Sequence, residues 1–138
     1  MTSTVDQAAF RGALGRFASG VTVVTTLLDG IDHAMTASAF TSVSLDPALV
    51  LVCSHKTSRF HEAVLETGTW GVSILAEEGE LASAWFANRG RQLENQLADF
   101  AVTAVRDDID DPLLYYRSHY GTINRLEDSE KSILKVDE

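Results

Sequence analysis

Met35-Thr-Ala-Ser-Ala-Phe-Thr-Ser-Val-Ser-Leu-Asp-Pro47 decides how this chain is read. Ala34, Thr36, Ala37, Ser38 and Ala39 are all small, and a strand is expected over His33 to Phe40. Before it stands Asp29-Gly30, whose residue types tolerate the positive φ of a two-residue hairpin turn. The strand leading into that turn, Val21 to Leu28, is rich in β-branched residues. A strand of small side chains packs little on its own face and lets another group lie flat against the backbone. Backbone N–H and C=O groups can then meet the polar edge of a flat aromatic ligand. Asp46-Pro47 marks the next turn.

On the C-terminal side, Ala48 to Cys53 reads as a short apolar strand. Cys53 ends that run and is expected to pack in the interior. Ser54 to Ser58 is polar, and Ser58 can cap a helix carrying Phe60, Ala63 and Val64 on one side, with Gly68 as its end. This second segment suits a phosphate. Ser54, Thr57 and Ser58 offer hydroxyls, Lys56 and Arg59 offer charge, and the helix would turn its N-terminal N–H groups toward the same place.

Further out, Thr4 to Gln7 has the spacing of a capping box, and Phe10, Ala13, Leu14 and Phe17 recur at helical intervals. A helix is expected from Val5 to Phe17. Trp70 to Leu75 reads as a strand, and Glu77 to Asn88 as a helix with Leu81, Ala84 and Trp85 inward. Leu93, Leu97 and Phe100 suggest another helical stretch from Gln92. Short strands follow at Val102 to Val105 and Leu113 to Tyr116. The residues after Ile123 are charge-rich, with a weak helical pattern at Ile133 and Leu134, so one domain over 1–123 and a charged tail over 124–138 are expected.

The totals narrow the function. A net charge of −9 with 11 scattered basic residues argues against nucleic acid and against an anionic membrane surface. Cys53 is the single cysteine, so no internal disulfide forms, which fits a reducing cytoplasm. No apolar run reaches the ~18 residues of a membrane helix. No Gly-x-Ser-x-Gly, phosphate-binding Gly-x-x-x-x-Gly-Lys or Gly-x-Gly-x-x-Gly pattern occurs. His33, His55, His61 and His119 lack metal spacing, and His55 and His61 are expected to face solvent. No catalytic side chain announces itself. That leaves binding proteins, and enzymes whose chemistry belongs to a cofactor.

Phe10-Arg-x-x-Leu-Gly-x-Phe17, Gly20-Val-Thr-Val-Val-Thr26, Thr36-Ala-Ser-x-Phe-Thr-Ser-Val-Ser-Leu-x-Pro47, Trp85-Phe-Ala87 and Pro112-Leu-Leu-Tyr-Tyr-Arg-x-x-Tyr120 occur in this order. The set resembles the flavin reductase domain family, the small reductase components that supply reduced flavin to a separate monooxygenase. The resemblance implies a mainly β fold with helices, an FMN-binding split β-barrel of Greek-key type, and a homodimer. It places Met35, Thr36, Ser38 and Ala39 along the isoalloxazine and Cys53 and Ser54 near the ribityl chain. Ser58 and Arg59 would hold the phosphate, Trp85 and Phe86 would close the site, and Tyr116, Arg117 and Tyr120 would lie near the nicotinamide. By the same resemblance FMN or FAD is reduced by NADH or NADPH. Hydride passes from nicotinamide C4 to flavin N5 between rings stacked at ~3–3.5 Å.

One departure stands out. Family members carry a further segment, with two or three strands and a Gly-Asp-His motif, where this chain runs from Phe100 straight into Ala101. The resemblance therefore implies a barrel shortened by two or three strands. Strand edges left open need another cover, such as intimate pairing in a dimer. Two other roles fit the same residues: an FMN-binding split-barrel protein without turnover, and a shortened, inactive dimerisation domain.

Overall fold

The computed structural model describes residues 5–94 and 96–97 with their side chains, and three further strands by their backbone. In chain order the elements are α1 (Gln7–Leu14), β1 (Ser19–Gly20), β2 (Thr22–Leu28), β3 (Ile31–Ala37), β4 (Phe40–Leu45), β5 (Ala48–Val52), α2 (Arg59–Thr67) and β6 (Gly71–Ile74). A 3₁₀ turn at Glu77–Gly79 leads into α3 (Glu80–Ala87), and the backbone-only strands are β7 (Leu114–Tyr116), β8 (His119–Asn124) and β9 (Ile133–Val136). They form sheets ordered β1–β7–β8–β9, β3–β2–β6 and β4–β5. The fold is mainly β with helices, and the described pairings do not close into a barrel.

The sheet β3–β2–β6 organises the described core. Asp29 and Gly30 both take positive φ, at 52° and 76°, and turn β2 back into β3 with Leu28 opposite Ile31. Alternation then sends Val23 and Val24 to opposite faces. Val23 joins Ala34 and Phe86 under α3, while Val24 joins Ala37 and Phe60 under α2. A buried Phe contributes about 1.5–3 kcal/mol, so each helix is held mainly by its one phenylalanine. Buried hydroxyls on β2 are satisfied: Thr22 donates to the Ala37 carbonyl at 2.7 Å, and Thr26 to that of Thr69 at 2.7 Å.

Several expectations are corrected here. α1 starts at Gln7 with Asp6 as its cap, the carboxylate accepting from the N–H groups of Ala8 and Ala9. A carboxylate satisfies two donors at the positive helix end, so the helix begins after it; Thr4 lies outside the described residues. Phe17 lies beyond the helix end. β3 stops at Ala37, and the chain bends at Ser38 and Ala39 before β4 starts at Phe40. The inward face of α3 is Ser83 and Phe86; Leu81 is 81% exposed, Ala84 is exposed and Trp85 is 44% exposed. Helical spacing fits either face of α3, and the face that packs on Val23 and Ala34 is the one carrying Phe86. Glu94, Gln96 and Leu97 lie in turns rather than a helix, while Phe100 and the expected strand at 102–105 lie outside the described residues. Ile133–Val136 pairs antiparallel with β8 instead of showing the weak helical pattern.

Cys53 is exposed, not interior. It follows β5, whose only described strand partner is β4, and the hairpin leaves Leu45 92% exposed and Leu49, Val50 and Leu51 about half exposed. Among the described residues no helix is long and apolar enough to cross a membrane.

Candidate functional site

The end of β3 and the entrance of α2 meet. The Cys53 N–H donates to the Ala39 carbonyl at 3.0 Å, which fixes the segment after β5 beside the bend after β3. Ser54 Oγ lies 3.8 Å from Met35 Sδ and 2.8 Å from Ser58 Oγ. Ser58 caps α2, accepting from the His61 N–H at 3.1 Å. The turn leading there is closed by the Ser58 N–H on the His55 carbonyl at 2.9 Å, and the Thr57 hydroxyl meets His55 Nδ1 at 2.8 Å. His55 is exposed as expected, whereas His61 is half-buried.

Met35, Ala39, Cys53, Ser54 and Ser58 are thus brought together. Ser38 and Ala39 are small and exposed, so a flat group can reach their backbone. Two hydroxyls and the positive end of a helix lie next to them, which suits a phosphate. Residues of the kind a flavin mononucleotide requires are therefore present, with the stretch expected to floor the ring beside the one expected to hold the phosphate.

The other sequence-predicted residues lie elsewhere. Thr36 points to the opposite face from Met35, and its hydroxyl donates to the Ser83 carbonyl of α3 at 2.6 Å. Phe86 is 2% exposed and packs on that same opposite face. Trp85 is partly exposed on α3. Arg59 turns its guanidinium to the carbonyls of Arg89 and Arg91, at 3.1 to 3.2 Å. Tyr116 and Tyr120 lie on the paired strands β7 and β8, of which only the backbone is described, and Arg117 lies outside the described residues.

Arg91 and Gln96 escaped the sequence reading. The Arg91 guanidinium donates to the carbonyls of Phe86 at 3.0 Å and Asn88 at 2.7 Å, to Gln96 Oε1 at 2.9 Å, and to the Ala34 carbonyl of β3. It lies 5.4 Å from the Phe86 ring centroid. Burial first, and then the neighbouring Arg59 charge, lower the Arg91 pKa from its ordinary value. Gln96 is 4% exposed and donates to the Asp32 carbonyl. Neither residue carries a local signal: Gln96 stands in a stretch whose apolar spacing suggested a helix and Arg91 just before it, and the β3 carbonyls they reach are about sixty positions away.

The flavin reductase like domain family model matches residues 14–103. A protein of Rhodococcus sp named NADH-dependent flavin reductase is 52% identical over 134 aligned positions, covering 84% of this chain and 74% of that protein. The reductase subunit HsaB of a flavin-dependent monooxygenase from Rhodococcus jostii is 41% identical, covering 62% of this chain and 44% of its own length. Among solved structures, BorF, the flavin reductase component of a bacterial two-component tryptophan halogenase, superposes with a TM-score of 0.76 at 32% identity. That superposition covers 85% of this chain and 98% of BorF. The NADH:FAD oxidoreductase SgcE6 of Streptomyces globisporus, solved with NAD and FAD fragments, gives 0.60 at 29% identity, covering 95% of this chain and 79% of the other.

Proposed function

Since this chain belongs to the flavin reductase like domain family, we propose that it reduces FMN or FAD with NADH or NADPH and supplies the reduced flavin to a separate monooxygenase component. The observation that carries this reading is the meeting of Met35 and Ala39 with Ser54 and Ser58 at the entrance of α2. Bound flavin and nicotinamide supply the hydride chemistry. The chain binds and orients. Met35, Ser38 and Ala39 form the ring floor, with Thr36 fixing that strand to α3. Cys53 and Ser54 border the ribityl chain, and Ser58 with Arg59 and the α2 N-terminus form the phosphate end. Phe86 supports the floor from beneath, Trp85 borders it from α3, and Tyr116, Arg117 and Tyr120 are assigned to the nicotinamide nucleotide. Backbone N–H groups along the floor can stabilise charge developing on the reduced ring.

The fold is read as a split β-barrel of Greek-key type over residues 1–123, to which β9 adds a strand, shortened by two or three strands. The Rhodococcus alignment supports the shortening: 134 aligned positions correspond to only 84% of these 138 residues, about 116, so about eighteen positions have no counterpart here. The exposed β4–β5 hairpin and an α1 with no buried residue support a homodimer, since both present apolar side chains such as Phe10, Leu14 and Leu45. Sedimentation is expected to give about twice the 15.0 kDa chain mass, and a monomer at micromolar concentration would remove the dimer from this reading. A cytoplasmic location completes this reading, supported by the single cysteine.

Turnover is tested by anaerobic stopped-flow with NADH and added FMN. Rapid bleaching of the flavin band is expected. Bleaching no faster than without protein would refute the reductase. Tight FMN binding without bleaching would favour an FMN-binding protein instead.

A further inference from the structure

β3 carries the ring floor, yet it is an edge strand: in β3–β2–β6 its only described strand partner is β2. An edge strand presents a row of unpaired N–H and C=O groups. Asp32 and Ala34 are two residues apart, so their carbonyls point the same way from the strand. Both are taken up by side chains of the loop after α3, Ala34 by the Arg91 guanidinium and Asp32 by Gln96. Thr36, the next residue in that row, adds its hydroxyl to the Ser83 carbonyl. Three successive positions are thus fixed to α3 and its loop up to the residue beside Met35.

The same loop reaches the other end of the site. Arg59, the first residue of α2, donates to the carbonyls of Arg89 and Arg91. Arg91 is therefore held by Arg59 through its backbone and holds β3 through its side chain. Its own loop limits its freedom as well, because Phe86, Asn88 and Gln96 take three more of the five guanidinium donors. A planar fork with several fixed donors suits this task, and a lysine ammonium on a flexible stem does not.

Resting on the flavin reading, we propose that Arg91, with Gln96, is a positioning residue that sets the distance between the ring floor on β3 and the phosphate end at α2. It acts through the backbone of Ala34 and through Arg59, without touching flavin. If the two subsites are held in register, FMN gains from ring and phosphate together, whereas riboflavin gains from the ring alone. Loosening the loop lets the subsites move independently, and the phosphate then adds less.

The test is titration of the full chain with FMN and with riboflavin, followed by fluorescence quenching well below the thermal midpoint. In Arg91→Ala the preference for FMN over riboflavin is expected to fall about tenfold, the equivalent of about 1.4 kcal/mol. Arg91→Lys, which keeps the charge but replaces the planar fork with a single ammonium, is expected to fall between that variant and the wild type, and it serves if Arg91→Ala does not fold. Gln96→Ala is expected to shift the preference in the same direction by less. A role confined to stability would lower the thermal midpoint and leave the preference unchanged, and that result overturns the proposal. A wild type that binds neither flavin overturns the flavin reading first, and this proposal with it.

Discussion

Ser38→Leu is expected to weaken FMN binding about a hundredfold, the equivalent of about 2.7 kcal/mol, while leaving stability within about 0.5 kcal/mol. Ser38 sits at the bend between β3 and β4 and is exposed, so a larger side chain displaces nothing in the core. In the proposed site it stands where a flat ring would approach the backbone. Loss of binding without loss of stability therefore separates ligand exclusion from misfolding. Ser38→Ala is the control, since it is no larger, and is expected to bind nearly as the wild type. Fluorescence titration with FMN and a urea melt measure the two quantities. If Ser38→Leu keeps FMN affinity within about threefold, the ring does not lie along Met35 to Ala39, given that each tenfold is 1.4 kcal/mol.

Phe86→Ala is expected to cost about 3–5 kcal/mol, the range for emptying a buried aromatic site. The ring is 2% exposed and packs on Val23 and Ala34, with Leu75, Ala82 and Leu97 around it. Its loss also removes the face over which the Arg91 guanidinium lies, worth about 0.5–1 kcal/mol. For a domain of this size the thermal midpoint falls on the order of 10 °C. Trp85→Ala, at the adjacent and partly exposed position, is expected to cost under about 1 kcal/mol. Denaturation of the two variants side by side checks the register of α3. Equal losses would mean that Trp85, as the helical spacing suggested, faces the core.

Much of the local structure around the candidate site was legible before any coordinates. The small side chains from Ala34 to Ala39, the Asp29-Gly30 turn, the Ser58 cap and the Gly68 stop are local signals, and each depends on backbone geometry within a few residues. The structure keeps all of them: the turn has positive φ at both positions, Ser58 caps α2, and Gly68 ends it at φ 65°. The adjacency of Met35 with Ser54 and Ser58 follows the family order of motifs. Misreadings arose where a neighbour chose between local alternatives. Trp85 and Phe86 are both large and apolar, and the packing of α3 on Val23 and Ala34 decides which one faces the sheet. Cys53 looks interior in its apolar run, but burial needs a second layer, and among the described residues the β4–β5 hairpin leaves it exposed.

The stretch from Met35 to Pro47 therefore carries the proposed ring floor and a turn on its own residues. Side-chain size and φ tolerance are properties of single positions and are written in the chain directly. What fixes that floor in place is not written there. The carbonyls of Asp32 and Ala34 belong to every residue alike, and their donors, Gln96 and Arg91, come from the loop after α3, sixty-four and fifty-seven positions away. A hydrogen bond to a backbone group leaves no mark on the residue that accepts it, so only packing of α3 against β3 could bring those donors to that edge.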